Sequence, residues 1–233
     1  MHPALELWSG FPVERRPRPI VVIGEGSVLA PEGGFTSSEA KIAYVDGRFV
    51  FTAAPPDLVR RRLHEAIPER PPRSGIEPLE IVGVESGSAS FGTDRGPVVL
   101  STWQLFFSSG AATPAHVLAV PEDQLYKPPP RTAPWRHMTA GLDDAGGRSL
   151  TVAFIGSPED IMAYTASAEE AGHAVAVLIT SQPVPGTEGL AVRAVGCRRQ
   201  VRIKFEAPLG PRVLVDAASG AAVPVVVGVP ARH

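Results

Sequence analysis

Short runs of apolar or alternating residues, separated by turn-forming residues, recur along the whole chain. In the second half these runs are so closely spaced that they predict seven short strands: Leu150–Ile155, Met162–Ala168, His173–Thr180, Leu190–Val195, Val201–Glu206, Val213–Asp216 and Ala222–Val227. This spacing is typical of a small sandwich or barrel. We therefore expect an immunoglobulin-like β-sandwich over residues 149–233.

One segment of the second half, residues 157–171, fits two structures. Ser157 followed by Pro158 is typical of a helix start, and such a helix would run toward Gly172. The residues around Tyr164 offer little apolar helical face, however, and a hairpin returning through His173 matches the neighbouring strands. We favour the hairpin and keep the helix as the alternative.

The first half predicts a sheet with one helix. Its predicted strands are Ile20–Ile23, Leu79–Val84, Ser88–Thr93, Val98–Phe107 and His116–Val120. Apolar residues at helical spacing after Pro56 predict a helix over residues 56–67, which Pro68 ends. Residues 1–122 are therefore expected to form an α+β domain.

Three turns are predicted between these elements. Asp46-Gly47 lies between β-prone runs at 41–45 and 48–52, which is the pattern of a hairpin with a type I′ turn. Asp94-Arg95-Gly96 indicates a second tight turn, in which we expect the Asp94 side chain to bond to the turn backbone. Residues 85–88 predict a serine-rich turn.

Proline punctuates two further segments. Residues 8–19 form a proline-broken arm in which no helix fits, and we expect Trp8 and Phe11 to fix this arm onto the protein. Residues 123–148 are rich in proline and then in glycine, which indicates a linker. The predicted organisation is therefore an α+β domain at 1–122 and a sandwich at 149–233, joined by that linker.

Charge and composition exclude several classes of protein. The 233 residues carry a net charge of −2 and the pI is near 6.3, so the basic footprint of a nucleic-acid-binding protein is missing. No apolar run reaches the length of a transmembrane helix. Cys197 is the single cysteine, which excludes an internal disulfide or a cysteine metal cluster. The start at Met1 lacks a signal-peptide pattern and predicts a cytoplasmic protein; an extracellular location would require an N-terminal export segment that has been removed.

Several segments carry a resemblance to known proteins, and they are Arg18–Val22, Thr93–Pro97 with Trp103, His116–Val120, Ala207–Asp216, Gly220 and Val223–Val225. In these segments the chain resembles a family of uncharacterised two-domain, β-rich actinobacterial proteins with no assigned activity. The resemblance covers most of the chain and implies the fold without a function. Family members are often exported or membrane-tethered, and many carry a cysteine pair in the second domain. This chain differs on both points.

No motif with catalytic spacing is present. Gly24-Glu25-Gly26 lacks the third glycine and the following helix of a dinucleotide-binding loop, so a plain turn is expected there. The chain has neither a Gly-Lys-Ser/Thr phosphate loop nor a Gly-x-Ser-x-Gly elbow. Its internal histidines are not spaced as metal ligands on one element. We therefore predict no cofactor and no metal.

Weak candidates exist for two kinds of site. Those for catalysis are His116, Asp94, Arg95 and Tyr164, and those for binding are Trp135, Tyr126, Arg60 and Arg61. Each also fits a structural role, because aromatic rings can dock the linker and arginines can lie on a solvated face. The cluster Arg198-Arg199-Arg202 likewise fits a solvated face, with an anionic ligand or an acidic partner as the alternative.

The sequence thus predicts a non-enzymatic binding or interaction module. The prediction rests on the missing catalytic motifs and on two folds of the kind that present loops and sheet faces. The partner is an unidentified protein or small molecule, and nucleic acid is not expected. The alternative is a small enzyme that acts on an apolar substrate in a cleft between the two domains, using the four catalytic candidates.

Overall fold

The computed structural model describes residues 1–24, 26–133, 138–187 and 196–226. Among the described residues, strands account for 40% and helices for 12%, which confirms the prediction of a mainly β fold. The chain divides into two compact units, one holding both of its ends and one made from its middle. The terminal unit comprises Met1–Val21, Gly92–Gly96 and Asp123–His233, and the central unit comprises Val22–Phe91 and Pro97–Glu122.

This division partitions the chain differently from the predicted domains at 1–122 and 149–233. The first 21 residues and the turn at 92–96 group with the C-terminal part, and so does the predicted linker.

The elements in chain order are α1 (Pro3–Leu7), β1 (Val28–Leu29), α2 (Ser38–Val45), β2 (Phe49–Phe51), α3 (Asp57–Ala66), β3 (Leu79–Thr93), β4 (Gly96–Phe107), β5 (Ala115–Leu118), a 3-10 turn (Glu122–Gln124), β6 (Thr139–Leu142), β7 (Ser149–Gly156), β8 (Met162–Glu170), β9 (Ala174–Pro183), β10 (Cys197–Lys204), β11 (Val213–Asp216) and β12 (Val225–Val226).

The central unit is built on a five-stranded sheet with strand order β1-β5-β4-β3-β2. β2 runs parallel to β3, whereas β5 is antiparallel to both β1 and β4. Helices α2 and α3 bury their apolar residues against this sheet in one core. Its buried members are Val28, Ala40, Ala43, Tyr44, Val59, Leu63, Leu79, Ile81, Leu105, Ala115 and Val117.

The hairpin predicted over residues 41–52 is wrong, because the first part of that segment lies in α2. The helix begins after Ser37, whose hydroxyl accepts a hydrogen bond from the N–H of Ala40 at 3.1 Å. Ala40, Ala43 and Tyr44 are buried on one side of the helix. An N-cap and a buried face therefore hold this β-prone run in a helix.

Asp46-Gly47 ends α2 and does not form a type I′ turn. Such a turn needs a positive φ at both residues, but φ is 66° at Gly47 and −85° at Asp46. The N–H of Arg48 bonds to the carbonyl of Ala43 at 2.9 Å, and the N–H of Gly47 bonds to the carbonyl of Tyr44 at 3.0 Å. These two bonds close the helix in the manner of a Schellman cap.

The serine-rich turn predicted at 85–88 is also wrong. The strands predicted at 79–84 and 88–93 are one continuous strand, β3. Gly87 lies within it, and a Cβ at that position would meet the Cδ of Gln104 at 2.7 Å unless that side chain moved. The glycine therefore serves a close side-chain approach inside a strand.

Other predictions for the first half are confirmed in part. The predicted helix at 56–67 is α3, and the tight turn at Asp94-Arg95-Gly96 joins β3 to β4 as expected. The segment Ile20–Ile23, predicted to be a strand, does not form a regular strand. Ile20 instead makes an isolated bridge to Leu125.

The terminal unit contains two sheets, with strand orders β10-β7-β6-β12 and β11-β9-β8. β8 and β9 pair antiparallel along their length, so the predicted hairpin is confirmed and the alternative helix at 157–171 is wrong. The pairs β9–β11 and β6–β12 are parallel. Both sheets contribute to one core, whose buried members are Met138, Ala140, Leu150, Val152, Phe154, Val175, Val177, Val201, Ile203, Phe205, Leu209, Leu214, Val223 and Val225.

Residues 221–226 join these two sheets along one side. The N–H of Val223 donates to the carbonyl of Leu214 in β11 at 2.8 Å, and β12 follows two residues later beside β6. β6 itself lies inside the predicted linker, which therefore contains regular structure. The strand predicted at 190–195 falls outside the described residues.

The proline-broken arm is fixed as expected. Trp8 is fully buried, and its Nε1 donates to the carbonyl of Gly220 at 2.8 Å. Phe11 is also buried and lies edge-on to Trp8 with 6.3 Å between ring centroids. The short helix α1, which precedes the arm, was not predicted. Among the described residues, no helix has the length and apolar character needed to span a membrane.

Candidate functional site

Asp94, a predicted catalytic residue, lies in the turn between β3 and β4 and is 2% exposed. Arg18 donates from Nη1 to Oδ1 of Asp94 at 3.2 Å and from Nη2 to Oδ2. The backbone of Asp94 is bonded as well, to the carbonyl of Val21 and to the N–H of Val225, both at 3.0 Å. Arg18 therefore engages both carboxylate oxygens of Asp94 in a buried place.

Arg95, the second member of the predicted pair, is directed at backbone carbonyls. Its Nη2 donates to the carbonyls of Gly210 and Arg212, each at 2.7 Å, while its Nε lies 3.8 Å from Oδ2 of Asp94. Burial and then the charge of Arg18 lower the pKa of Arg95, and Asp94 opposes them. The guanidinium thus clamps two segments of the terminal unit together.

Thr93, rather than Asp94, holds the turn itself. Its hydroxyl donates to the carbonyl of Gly96 at 2.7 Å and accepts from the N–H of Arg95 at 3.1 Å. The expectation that the Asp94 side chain bonds to its own turn is therefore wrong. That carboxylate is bonded to Arg18 instead.

His116 lies in β5 of the central unit. Its Nδ1 is 3.3 Å from Oγ1 of the buried Thr102, and Gln104 is its cross-strand partner. Within the described part of the chain, no carboxylate forms a hydrogen bond or an ion pair with this ring. The histidine–carboxylate pairing that orients a general base is thus not assembled here.

Tyr164, in β8, takes part in packing at one end of the terminal unit. Its hydroxyl accepts the N–H of Ser157 at 2.7 Å, and its ring meets that of Phe154 with 5.1 Å between centroids. The guanidinium of Arg199 lies 5.4 Å above the Tyr164 ring and also pairs with Glu159 at 3.0 Å. Tyr164 is thus partly buried and has its own partners. Among the described residues, it forms no hydrogen bond with Asp94 or Arg95.

The two aromatic binding candidates are Tyr126 and Trp135, and the structure describes only the first. Tyr126 stacks on Trp8 with 5.5 Å between ring centroids and meets Phe11 edge-on at 5.0 Å. Burial raises the pKa of Tyr126. This residue therefore helps to fix the arm, as the structural interpretation of the linker aromatics predicted, whereas Trp135 lies outside the described residues.

The arginines of α3 point to separate partners. Arg61 pairs with Glu122 at 2.6 Å, and the guanidinium of Arg60 lies 5.9 Å from the ring centroid of Phe51. The buried Arg62 donates to two backbone carbonyls at the end of β5 and just beyond it. Three consecutive arginines with three different partners do not make one anion pocket.

A different surface presents its cations to solvent. In β10, Val201 and Ile203 are buried, whereas the residues that alternate with them are exposed. We call the resulting surface the basic face, and it consists of Arg198, Gln200, Arg202 and Lys204 from β10 with Ser149, Thr151, Ala153 and Ile155 from β7. Among the described residues, β10 is the outermost strand of its sheet and no carboxylate pairs with Arg198 or Lys204.

One carboxylate, Asp143, does reach the basic face. Its Oδ1 accepts the hydroxyl of Thr151, and its Oδ2 accepts the hydroxyl of Ser149 and the Nε of Arg202, all at 2.8 Å. Partial burial acts to raise the pKa of Asp143, but the bonds from Arg202, Thr151 and Ser149 outweigh it and lower the pKa below its ordinary value. These three side chains therefore form a carboxylate-binding arrangement.

The sequence had singled out part of this surface. The sequence places Arg198, Arg199 and Arg202 in one basic cluster, but strand alternation separates its members. Arg199 turns to the other side, where it contacts Tyr164 and Glu159. Lys204 joins the exposed row in its place.

A shallow pocket of about 560 Å³ lies against α1. Its walls are mainly the small apolar residues Pro3, Ala4, Ala217 and Ala218. His2 also lines it, but Nδ1 of that ring already accepts the N–H of Ala4 at 3.2 Å. The pocket opens to solvent.

In the described ranges, no three His, Cys, Asp or Glu side chains are placed to hold a metal ion together. Searches of protein-family models, of curated proteins and of solved structures each found no match for this chain. Function is therefore inferred from the side chains themselves.

Proposed function

We propose that this protein is a non-enzymatic binding module and that its basic face holds an anionic partner. The observation that carries the proposal is the exposed row of Arg198, Arg202 and Lys204, which forms an ion pair with only one carboxylate, Asp143, among the described residues. In a chain with a net charge of −2, such a local excess of cations creates a favourable potential for an anion.

The catalytic candidates support the same proposal by their contacts. Asp94 and Arg95 are bonded to Arg18 and to backbone carbonyls, and the hydroxyl of Tyr164 accepts a backbone N–H. His116 contacts a threonine. The alternative of an enzyme acting on an apolar substrate stays a prediction, and no described contact favours it.

Two finer points of fold belong to the proposal. An immunoglobulin-like sandwich is supported by two sheets that bury a common core, although each sheet contains one parallel pair. The resemblance to the actinobacterial family is proposed on its sequence segments alone. The β-sandwich architecture suits a binding module because its outer sheet faces are free to present side chains.

The test compares two variants with equal charge change. Arg198, Arg202 and Lys204 are changed together to Glu in one, and the exposed Lys41, Arg60 and Lys127 in the other. Binding of poly-L-glutamate, polyphosphate and oligo-dT is measured by calorimetry at low salt. We expect the basic-face variant to weaken binding of at least one polyanion by about tenfold or more, and the control by less than about threefold.

Two results would overturn the proposed function. One is that none of the three polyanions binds the unmodified protein. The other is that both variants weaken binding to the same extent, because the basic face would then contribute no more than charge at any other place.

A further inference from the structure

We propose that the partner of the basic face is an extended acidic polypeptide whose carboxylates bind along β10. This inference rests on the proposed function and specifies its ligand. The surface itself shows which anion it accepts, because one carboxylate of the chain already occupies it. Asp143 supplies that internal example.

The site around Asp143 has the features of carboxylate recognition. Arg202 supplies a charge-assisted hydrogen bond, and Ser149 and Thr151 supply a hydroxyl to each of the two oxygens. Arg202 still has 67% of its side chain exposed, so donors beyond Nε face solvent. A second carboxylate can therefore reach the same guanidinium.

The spacing of the cations fits an extended chain. Side chains on one side of a strand repeat at about 6.7 Å, so Arg202 and Lys204 are about 7 Å apart and Arg198 and Arg202 about 13 Å apart along β10. A partner in the same extended conformation repeats its side chains at the same interval. Alternating acidic residues would then meet Arg198, Arg202 and Lys204 in register.

The floor of the face leaves room for such a chain. Ser149, Thr151 and Ala153 are short, whereas the cations on the neighbouring strand are long. Ile155, directly opposite Arg198, is 62% exposed and offers an apolar contact at one end. A peptide backbone can lie over β7 while its carboxylates reach across to β10.

A single-stranded nucleic acid fits this surface less well. Proteins that bind such strands stack the bases on aromatic side chains, and the eight residues of the basic face include none. The hydroxyls of Ser149 and Thr151 are already arranged around a carboxylate. Both observations favour the polypeptide.

The experiment uses fluorescence anisotropy with the full chain at low salt. The probes are a labelled peptide of about twelve alternating Glu and Ser residues, the same peptide with Gln in place of Glu, and an oligo-dT of similar length. We expect the Glu peptide to bind at least about tenfold more tightly than the Gln peptide and than the oligo-dT. Arg202→Gln is expected to weaken the Glu peptide by about threefold or more.

A matched pair of variants tests the role of the internal carboxylate. Asp143→Ala vacates the donors of Ser149, Thr151 and Arg202, while Asp144→Ala makes the same change of charge one residue away. We expect Asp143→Ala to tighten binding of the Glu peptide about threefold more than Asp144→Ala does.

Three outcomes would overturn the inference while leaving the proposed function intact. They are equal effects of Asp143→Ala and Asp144→Ala, tighter binding of oligo-dT than of the Glu peptide, and tight binding of polyphosphate alone. Each would identify a different anion or a less specific attraction at the same face. Loss of the difference between the two triple variants described above would instead remove the proposed function.

Discussion

The terminal unit contains two clusters of arginine and aspartate that use the same side chains in opposite ways. Around Asp94, Arg18 and Arg95 point inward, and their donors end on a buried carboxylate and on backbone carbonyls. Around Asp143, Arg202 keeps two thirds of its side chain in solvent. The donors of the first cluster are bonded within the fold, whereas some donors of the second cluster face solvent.

The difference means that charge alone would not identify the proposed binding site. Arginine and aspartate occur in both clusters, so residue type cannot distinguish them. What distinguishes them is the number of hydrogen-bond donors left after the fold has formed. The following variants and conditions test this distinction, from the largest expected effect to the smallest.

Asp94→Ala should destabilise the protein most. It leaves Arg18 and Arg95 in a largely buried place without their shared carboxylate, and removal of one partner of a buried ion pair costs about 3–5 kcal/mol. The free energy of unfolding in urea measures this loss. Asp143→Ala is the control, and a loss as large as that of Asp94→Ala would remove the contrast between the clusters.

The two clusters should respond differently to salt. Raising NaCl from about 0.05 M to about 0.5 M shortens the screening length severalfold, so binding of the Glu peptide to the basic face should weaken by about tenfold. The stability difference between the parent protein and Asp94→Ala should change little, since buried pairs are screened less. An affinity for the Glu peptide that does not change with salt would contradict binding through the exposed side chains of Arg198 and Lys204.

Glu170 offers an intermediate case. It accepts Nη1 of the buried Arg212 at 2.9 Å and the N–H of Glu206 at 2.6 Å. Burial acts to raise the pKa of Glu170, but these bonds and that of Ala207 outweigh it and lower the pKa.

Because the folded pKa lies below the unfolded one, this group stabilises the protein above the unfolded pKa, and the stabilisation is lost as pH falls through the folded pKa. Glu170→Gln should therefore flatten the fall in unfolding free energy below about pH 4.5. Urea unfolding between about pH 6 and pH 3 measures it. If the unfolding free energy of Glu170→Gln falls with pH as steeply as that of the unmodified protein, then protonation of Glu170 does not contribute to the loss of stability in acid.

Thr151→Val should have the smallest effect. It removes one of three donors to Asp143 while keeping a β-branched side chain of similar size, at a cost of about 0.5–1.5 kcal/mol. With one donor lost, the pKa of Asp143 should rise toward its ordinary value. A carboxyl NMR titration measures that shift, and an unchanged pKa would mean that Arg202 and Ser149 suffice.

The patterns of alternation and spacing predicted the mainly β fold, helix α3 and the β8–β9 hairpin, because each is determined by local periodicity. They did not predict α2. Asp46-Gly47 is equally suited to a hairpin turn and to a helix end, since both use the positive φ of the glycine. The Ser37 N-cap and the buried contacts of Ala43 and Tyr44 decide between them, and the buried contacts depend on the rest of the central unit.

The candidate site was partly visible in the sequence. Residues 197–204 alternate between inward and outward positions, and that period alone would have placed Arg198, Arg202 and Lys204 on one face. Asp143 meets Ser149 and Thr151 through pairing of consecutive strands, whereas its contact with Arg202, 59 residues away in the chain, depends on the pairing of β10 with β7. The burial of Asp94 likewise depends on Arg18, a residue 76 positions earlier.

The hydrogen bond from Trp8 to Gly220 has a consequence for biosynthesis, because its partners are 212 residues apart. At a translation rate of about 5–20 residues per second, the carbonyl that receives the indole is made about 10–40 s after the indole itself. During that interval the indole N–H of Trp8 lacks the acceptor that it has in the folded protein. The terminal unit can therefore complete this contact only after residue 220 has left the ribosome.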